Sequence, residues 1–144
     1  MSPRRLLLVE DNPQDELLIL RALRKSAPAL LVDVVRDGQQ ALDYFFRAVG
    51  ARQHTGRPPD LILLDIGLPR LSGLQVLEQL RAHPLTHDLP IVVFTSSDDE
   101  RDRHASAALG ANAFERKPVG CSELTETLAR LADVWRLLDE TPSH

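Results

Sequence analysis

Leu61-Ile62-Leu63-Leu64-Asp65-Ile66-Gly67-Leu68-Pro69 is the stretch whose reading decides the fold. Four aliphatic residues in a row, with no polar residue alternating among them, describe a strand that meets apolar neighbours on both faces. Such strands belong to parallel sheets covered by helices on each side. The run stops at Asp65, and Gly67 and Pro69 then force an irregular loop. Three further runs repeat the pattern: Leu6-Leu7-Leu8-Val9 before Glu10-Asp11, Ile91-Val92-Val93-Phe94 before Thr95-Ser96, and Ala113-Phe114 shortly before Lys117-Pro118. In open α/β sheets, ligands bind beyond the carboxyl ends of the strands. If the four runs are parallel strands, three carboxylates, a hydroxyl and an ammonium converge on one crevice.

Helical patterns alternate with these runs, as a layered α/β sheet with right-handed crossovers requires. Asn12-Pro13 marks a turn, and a first helix is expected from about Gln14 to Lys25, ended by Ala27-Pro28. Leu31-Val32-Asp33-Val34-Val35 is a second strand, bounded by Arg36-Asp37-Gly38. Ala41, Leu42, Phe45 and Val49 then share one helical face. Residues Gly50 to Pro59 read as a loop, somewhat long for its place and most simply a tolerated surface insertion. Val76, Leu77 and Leu80 make the apolar face of a short third helix, stopped by His83-Pro84. Ser97-Asp98-Asp99-Glu100 has the spacing of a capping box, from which a fourth helix runs through Ala105, Ala108 and Leu109 to Gly110. A short fifth strand lies near Ala113 to Glu115. Leu124, Leu128, Leu131, Trp135 and Leu138 form the stripe of a last helix.

Length and composition set bounds on function. A chain of 144 residues is most simply one domain, without internal repeats or a Gly/Ser linker. Its net charge of −4, with no basic patch interleaved with aromatics, argues against nucleic-acid binding. The apolar residues after Arg4-Arg5 are too few for a signal sequence or a membrane span. A single cysteine, Cys121, excludes an internal disulfide and fits a cytoplasmic protein, with Cys121 as an ordinary helix-start residue.

The convergent residues point to metal-assisted phosphoryl chemistry. Glu10, Asp11 and Asp65 in one crevice repel one another unless a cation sits among them. Mg²⁺ fits best, since it takes one or two carboxylates and keeps several waters. A carboxylate can also attack phosphorus and form an aspartyl phosphate. Such a transfer asks mainly for position and charge neutralisation. Asp65 is the best-placed nucleophile, Lys117 could supply a second positive centre, and Thr95 or Ser96 could donate to a phosphoryl oxygen. Taken singly, Asp65 reads as a cap or turn, Thr95-Ser96 as a strand-end turn, and Lys117 as a solvated lysine. Their joint arrangement carries the weight. His54, His83, His87, His104 and His144 make no zinc set, because Pro84 breaks the helix that would align His83 with His87. No phosphate-binding glycine cradle and no Gly-x-Ser-x-Gly elbow occurs.

With these residues in place, the chain resembles the receiver domain of bacterial two-component response regulators from about Arg5 to Leu138. The resemblance rests on V-E-D-N at Val9 to Asn12, L-I-L-L-D-I-G-L-P at Leu61 to Pro69, Gly73, F-T-S-S at Phe94 to Ser97, and F-E-R-K-P at Phe114 to Pro118. It implies a flavodoxin-like, doubly wound five-stranded parallel sheet of order 2-1-3-4-5 with five helices, an arrangement that serves as an example in general descriptions of such folds. It further implies that Asp65 is the phosphoacceptor, and that Asp11, Asp65 and the backbone carbonyl of Gly67 hold Mg²⁺, with Glu10 acting mostly through water. Lys117 would pair with the phosphoryl group, across a cis bond to Pro118. Thr95 would be the switch hydroxyl and Phe114 the aromatic switch, here without a phenolic hydroxyl. Gly67 and Ser97 stand where the family tunes phosphoryl lifetime.

The resemblance implies a single receiver domain over residues 1–144, with its core at about 5–138 and only six residues beyond Leu138, so no output domain is expected. Its phosphodonor would be a sensor histidine kinase. The V-E-D-N-P-x-D opening and the late Trp135 resemble single-domain receivers paired with bacterial phytochromes, a subgroup that tends to dimerise through its fourth helix, fifth strand and fifth helix. Val134 and Leu137 widen the apolar stripe around Trp135, and an exposed remainder there would suggest such a contact. Two rivals stand beside this reading. A small Mg²⁺-dependent phosphatase with an Asp nucleophile usually wants a second acid two residues on, where Gly67 stands. A degenerate receiver would bind partners without being phosphorylated.

Overall fold

The computed structural model describes residues 4–46 and 58–137. Val49, Leu138, His54, His144 and the loop at 50–57 lie outside the described residues. Five strands, β1 (Arg5–Val9), β2 (Leu31–Val35), β3 (Leu61–Leu64), β4 (Ile91–Thr95) and β5 (Ala113–Arg116), form one parallel sheet of order β2-β1-β3-β4-β5. Between and after them run α1 (Pro13–Ser26), α2 (Gly38–Phe46), α3 (Gly73–Ala82), α4 (Glu100–Ala108) and α5 (Cys121–Val134).

Strand side chains alternate between two apolar layers, which is why the central strands carry unbroken apolar runs. Leu6, Leu8, Leu61, Leu63, Val92 and Phe94 face α1 and α5, where Ile19, Leu23, Leu124, Leu128 and Leu131 cover them. Leu7, Val9, Ile62, Leu64, Ile91 and Val93 face α2 and α3, meeting Ala41, Leu42, Val76, Leu77 and Leu80. Among the described residues no helix is long and apolar enough to cross a membrane.

The helix ends depart from expectation in three places. The cap of α4 is Asp99, whose carboxylate accepts from the Arg101 N–H at 2.9 Å. Ser97 does not form the expected capping box. Its hydroxyl instead donates to Asp102 Oδ2 at 2.6 Å and accepts from the Asp99 N–H. A capping box does occur at α3, between Ser72 and Gln75. Helix α5 stops at Val134, before the stripe ends. Arg136 takes a left-handed φ of 57°, Leu137 N–H reaches back to the Ala132 carbonyl at 2.7 Å, and Leu137 is buried. That is the hydrogen-bond pattern glycine usually supplies at a helix end. Gly110, with φ 100°, supplies it after α4 as expected.

Helix α4 also differs in its packing. Within it only Ser106 is buried and Ala108 is exposed, while Leu109, just past its end, packs part-buried against the α2/α3 layer.

Candidate functional site

Parallel register brings the strand ends level on one rim of the sheet. Val9 pairs with Leu64 and Leu64 with Val93, so Glu10, Asp65 and Phe94 come next in step. Thr95 pairs with Arg116, and Lys117 follows one residue beyond. The ladder continues past these pairs: Asp65 N–H donates to the Val9 carbonyl at 3.1 Å, and Lys117 N–H to the Thr95 carbonyl at 2.7 Å. The sheet itself therefore aims these side chains. Behind Asp65 the backbone of α3 packs so closely that a Cβ at Gly73 would run into the Asp65 carbonyl oxygen and the Ile66 Cα.

Beyond the rim lies an open cleft of about 750 Å³, lined by Asp11, Asp15, Asp65, Gly67, Thr95 and Lys117 among others. Lys117 is the hub. Its ammonium donates to Glu10 Oε1 at 2.6 Å, Asp65 Oδ2 at 2.9 Å and Asp15 Oδ2 at 3.0 Å. Burial works against the Lys117 charge, but hydrogen bonds and attraction from Glu10 and Asp65 outweigh it and hold the group above the ordinary lysine range. Glu10 is only 1% exposed. Burial pushes its carboxyl up to about 7, with the Asp65 charge adding, against the stabilising contacts of Lys117 and the Asn12 N–H.

Carboxylate oxygens of Glu10, Asp11 and Asp65 lie within 4.8 Å of one another, and Asp11 is exposed. An all-oxygen set with one solvent-facing member fits a hard divalent ion that keeps water ligands. Gly67 is at the same mouth, where its N–H donates to Asp65 Oδ1 at 2.9 Å. Thr95 is buried, and its hydroxyl oxygen accepts from the Ser97 N–H at 3.3 Å.

Not every residue singled out from the sequence meets in this cleft. Phe114 sits on β5, packed at the edge of the layer under α2 and α3, and the Arg103 guanidinium lies 4.7 Å from its ring centroid. The Lys117–Pro118 bond is trans, since no cis peptide occurs among the described residues. Trans is the lower-energy isomer by about 0.5–1 kcal/mol even before proline. Leu137 is buried, so among the described residues the exposed part of the last stripe reduces to Val134, with Trp135 packed against the core layer.

Sequence reasoning missed Asp15 and Asp102. Asp15 stands in the first turn of α1, where an acid serves the helix dipole and draws no notice. Its one signal was the x-Asp that follows Asn12-Pro13. Asp102, which lines the cleft and takes the Ser97 hydroxyl, had none.

Comparison with known proteins matches residues 6–129 to the family described as "Response regulator receiver domain". The chain is 31% identical to the probable methanogenesis regulatory protein FilR2 of Methanothrix harundinacea, over 98% of this chain and 89% of that one. It superposes on the phosphorylated cyanobacterial phytochrome response regulator RcpA with a TM-score of 0.87 at 32% identity, covering 99% of this chain and all of the other. The Mn²⁺-bound form of response regulator Rcp1 gives a TM-score of 0.84 at 29% identity, over 98% of this chain and 100% of that one.

Proposed function

The chain belongs to the response regulator receiver family, and on that premise we propose that it is a single-domain response regulator of the phytochrome-associated type, phosphorylated on Asp65 by a sensor histidine kinase. The observation that carries this reading is the Lys117 ammonium, held between Asp65 and Glu10 beside the three-carboxylate cluster. It unites a nucleophile, a counter-charge and a cation site at the ends of adjacent strands.

In this reading an Asp65 carboxylate oxygen attacks the phosphorus of a kinase phosphohistidine. The new P–O bond forms as the P–N bond breaks, and the electron pair leaves with the imidazole. Lys117 neutralises the transferred oxygens from one side. Asp11, Asp65 and the Gly67 carbonyl would hold Mg²⁺, with Glu10 acting through water; the bound ion would offset the charge that builds on the phosphoryl group. A Mn²⁺-bound relative supports a divalent ion here. The protein is then a stoichiometric acceptor that assists its own phosphorylation and dephosphorylation, rather than a conventional enzyme.

The Thr95 hydroxyl would leave Ser97 for the phosphoryl group, and Phe114 would follow it inward. The signal would leave through the face made by α4, β5 and α5, as a shift between two pre-existing states. Exposed Val134, beside Trp135, supports a second copy of the chain as one reader of that face. A cytoplasmic setting and independence from nucleic acid and membrane complete the proposal.

Acetyl phosphate with Mg²⁺, followed by intact mass, tests it. The wild-type chain should gain one phosphoryl group, and Asp65→Asn or omission of Mg²⁺ should abolish the gain. No gain in the wild type, even with rapid sampling, sinks the reading in favour of a binding module. Turnover of many equivalents would favour a phosphatase.

A further inference from the structure

An ammonium has three N–H donors, and all three of Lys117 are committed, to Glu10, Asp65 and Asp15. Any group that recruits Lys117 must displace one of these acceptors. They are not equally displaceable. Glu10 is buried, and losing Lys117 would strand a carboxylate away from water. Asp65 is the residue that would carry the phosphoryl group. Asp15 has a side chain 36% exposed, at the mouth of the cleft and in the first turn of α1. Water and the helix N-terminus can take over its charge there.

We infer that Asp15 is a placeholder for the phosphoryl group: it occupies the third donor of Lys117 at rest and yields it when phosphate oxygens arrive on Asp65. This inference rests on the reading of Asp65 as the acceptor. Asp15 is a positioning residue, acting through Lys117, and it sets by competition how tightly the site grips a phosphoryl group. Its removal therefore strengthens that grip. A merely structural residue would weaken it on removal.

Beryllofluoride, a non-covalent stand-in for the phosphoryl group, provides the test in the presence of Mg²⁺. Calorimetric titration of the full chain should show Asp15→Asn binding about fivefold tighter than wild type, the factor that about 1 kcal/mol of a part-exposed ion pair represents. Asp15→Glu should return to within about twofold of wild type on the same scale. Glu16→Gln, whose carboxylate is held by Arg36 at 2.7 and 3.0 Å, should match wild type. Asp15→Ser serves in place of Asp15→Asn should that variant not fold. Equal or weaker binding by Asp15→Asn overturns the inference, as does equal tightening by Glu16→Gln, which would mark a general charge effect. A wild-type chain that takes up no beryllofluoride overturns the acceptor reading and this inference with it.

Discussion

Helices α4 and α5 both lie beside β5, on opposite faces of the sheet, and they are attached by different physics. α5 buries Leu124, Leu128, Leu131 and Ala132 against the layer it shares with α1, and Leu137 folds back beneath its end. α4 buries Ser106 alone. Its other attachments include the Ser97 hydroxyl on Asp102, the Arg103 guanidinium over Phe114 and, just past its end, part-buried Leu109 with the Gly110 carbonyl held by Arg81. Each fully buried leucine contributes roughly 1.5–3 kcal/mol, against about 0.5–1 kcal/mol for a part-exposed cation–π contact. The helix that touches both Phe114 and the loop after Thr95 is thus the one that costs least to move. The heavy apolar attachment lies on one face of the sheet, and the lightly held helix beside Phe114 lies on the other.

The largest effect should come from cutting into α5. Leu128→Ala is expected to cost about 4 kcal/mol in denaturant unfolding, because Leu128 is fully buried and its neighbours cannot all collapse. Ser106→Ala in α4 removes a hydroxyl that donates to the Asp102 carbonyl within its own helix, at an expected cost of under about 1 kcal/mol. Similar losses for the two variants would break the comparison.

A second test isolates the site from both helices. Glu10 is raised from 4.5 to about 7 in the folded chain, so between those values the folded state binds more protons than the unfolded one. Stability contributed by that proton is complete below pH 4.5 and is lost as pH rises through 7. Glu10→Gln mimics the protonated form. The stability of wild type relative to Glu10→Gln should therefore fall by about 3 kcal/mol from pH 4.5 to 7.5 in chelator. Added Mg²⁺ should recover much of that loss, and a gap independent of pH would contradict the burial argument.

What could be read from the sequence follows the same division. The central strands and the fifth helix were legible because burial on both faces, or along one stripe, writes long apolar patterns. Glu10, Asp11, Asp65, Thr95 and Lys117 were legible as strand ends. The start of α4 was not, because Ser97, Asp98 and Asp99 can all cap, and only Asp102 decides that Ser97 is otherwise engaged. The end of α5 was hidden because Arg136, rather than glycine, takes the left-handed turn. Asp15 was hidden because its partner lies 102 residues away.

Hydrogen exchange should sharpen the comparison without mutation. Amides in the middle of α4 are expected to open at a cost about 2 kcal/mol lower than those near Leu128 in α5, since few apolar contacts oppose the opening of α4. Equal protection in the two helices would mean that α4 is held by something other than the contacts described.

The smallest expected effect is the most diagnostic. Arg103→Ala removes the guanidinium from the Phe114 ring and should lower stability by only about 0.5–1 kcal/mol. Its consequence for switching should be of the same size but of opposite use. Phe114 is part-exposed beneath Arg103, so this contact stabilises the resting position of the ring and would oppose the inward turn proposed above. Freed of it, the resting population should shift toward the inward state by the same free energy, about two- to fivefold. Aromatic NMR signals of Phe114, read with and without beryllofluoride, measure that population. A variant that is less stable yet unchanged in ring position would make Arg103 a surface contact only, and the low cost of moving α4 would then have to come from its scant apolar burial alone.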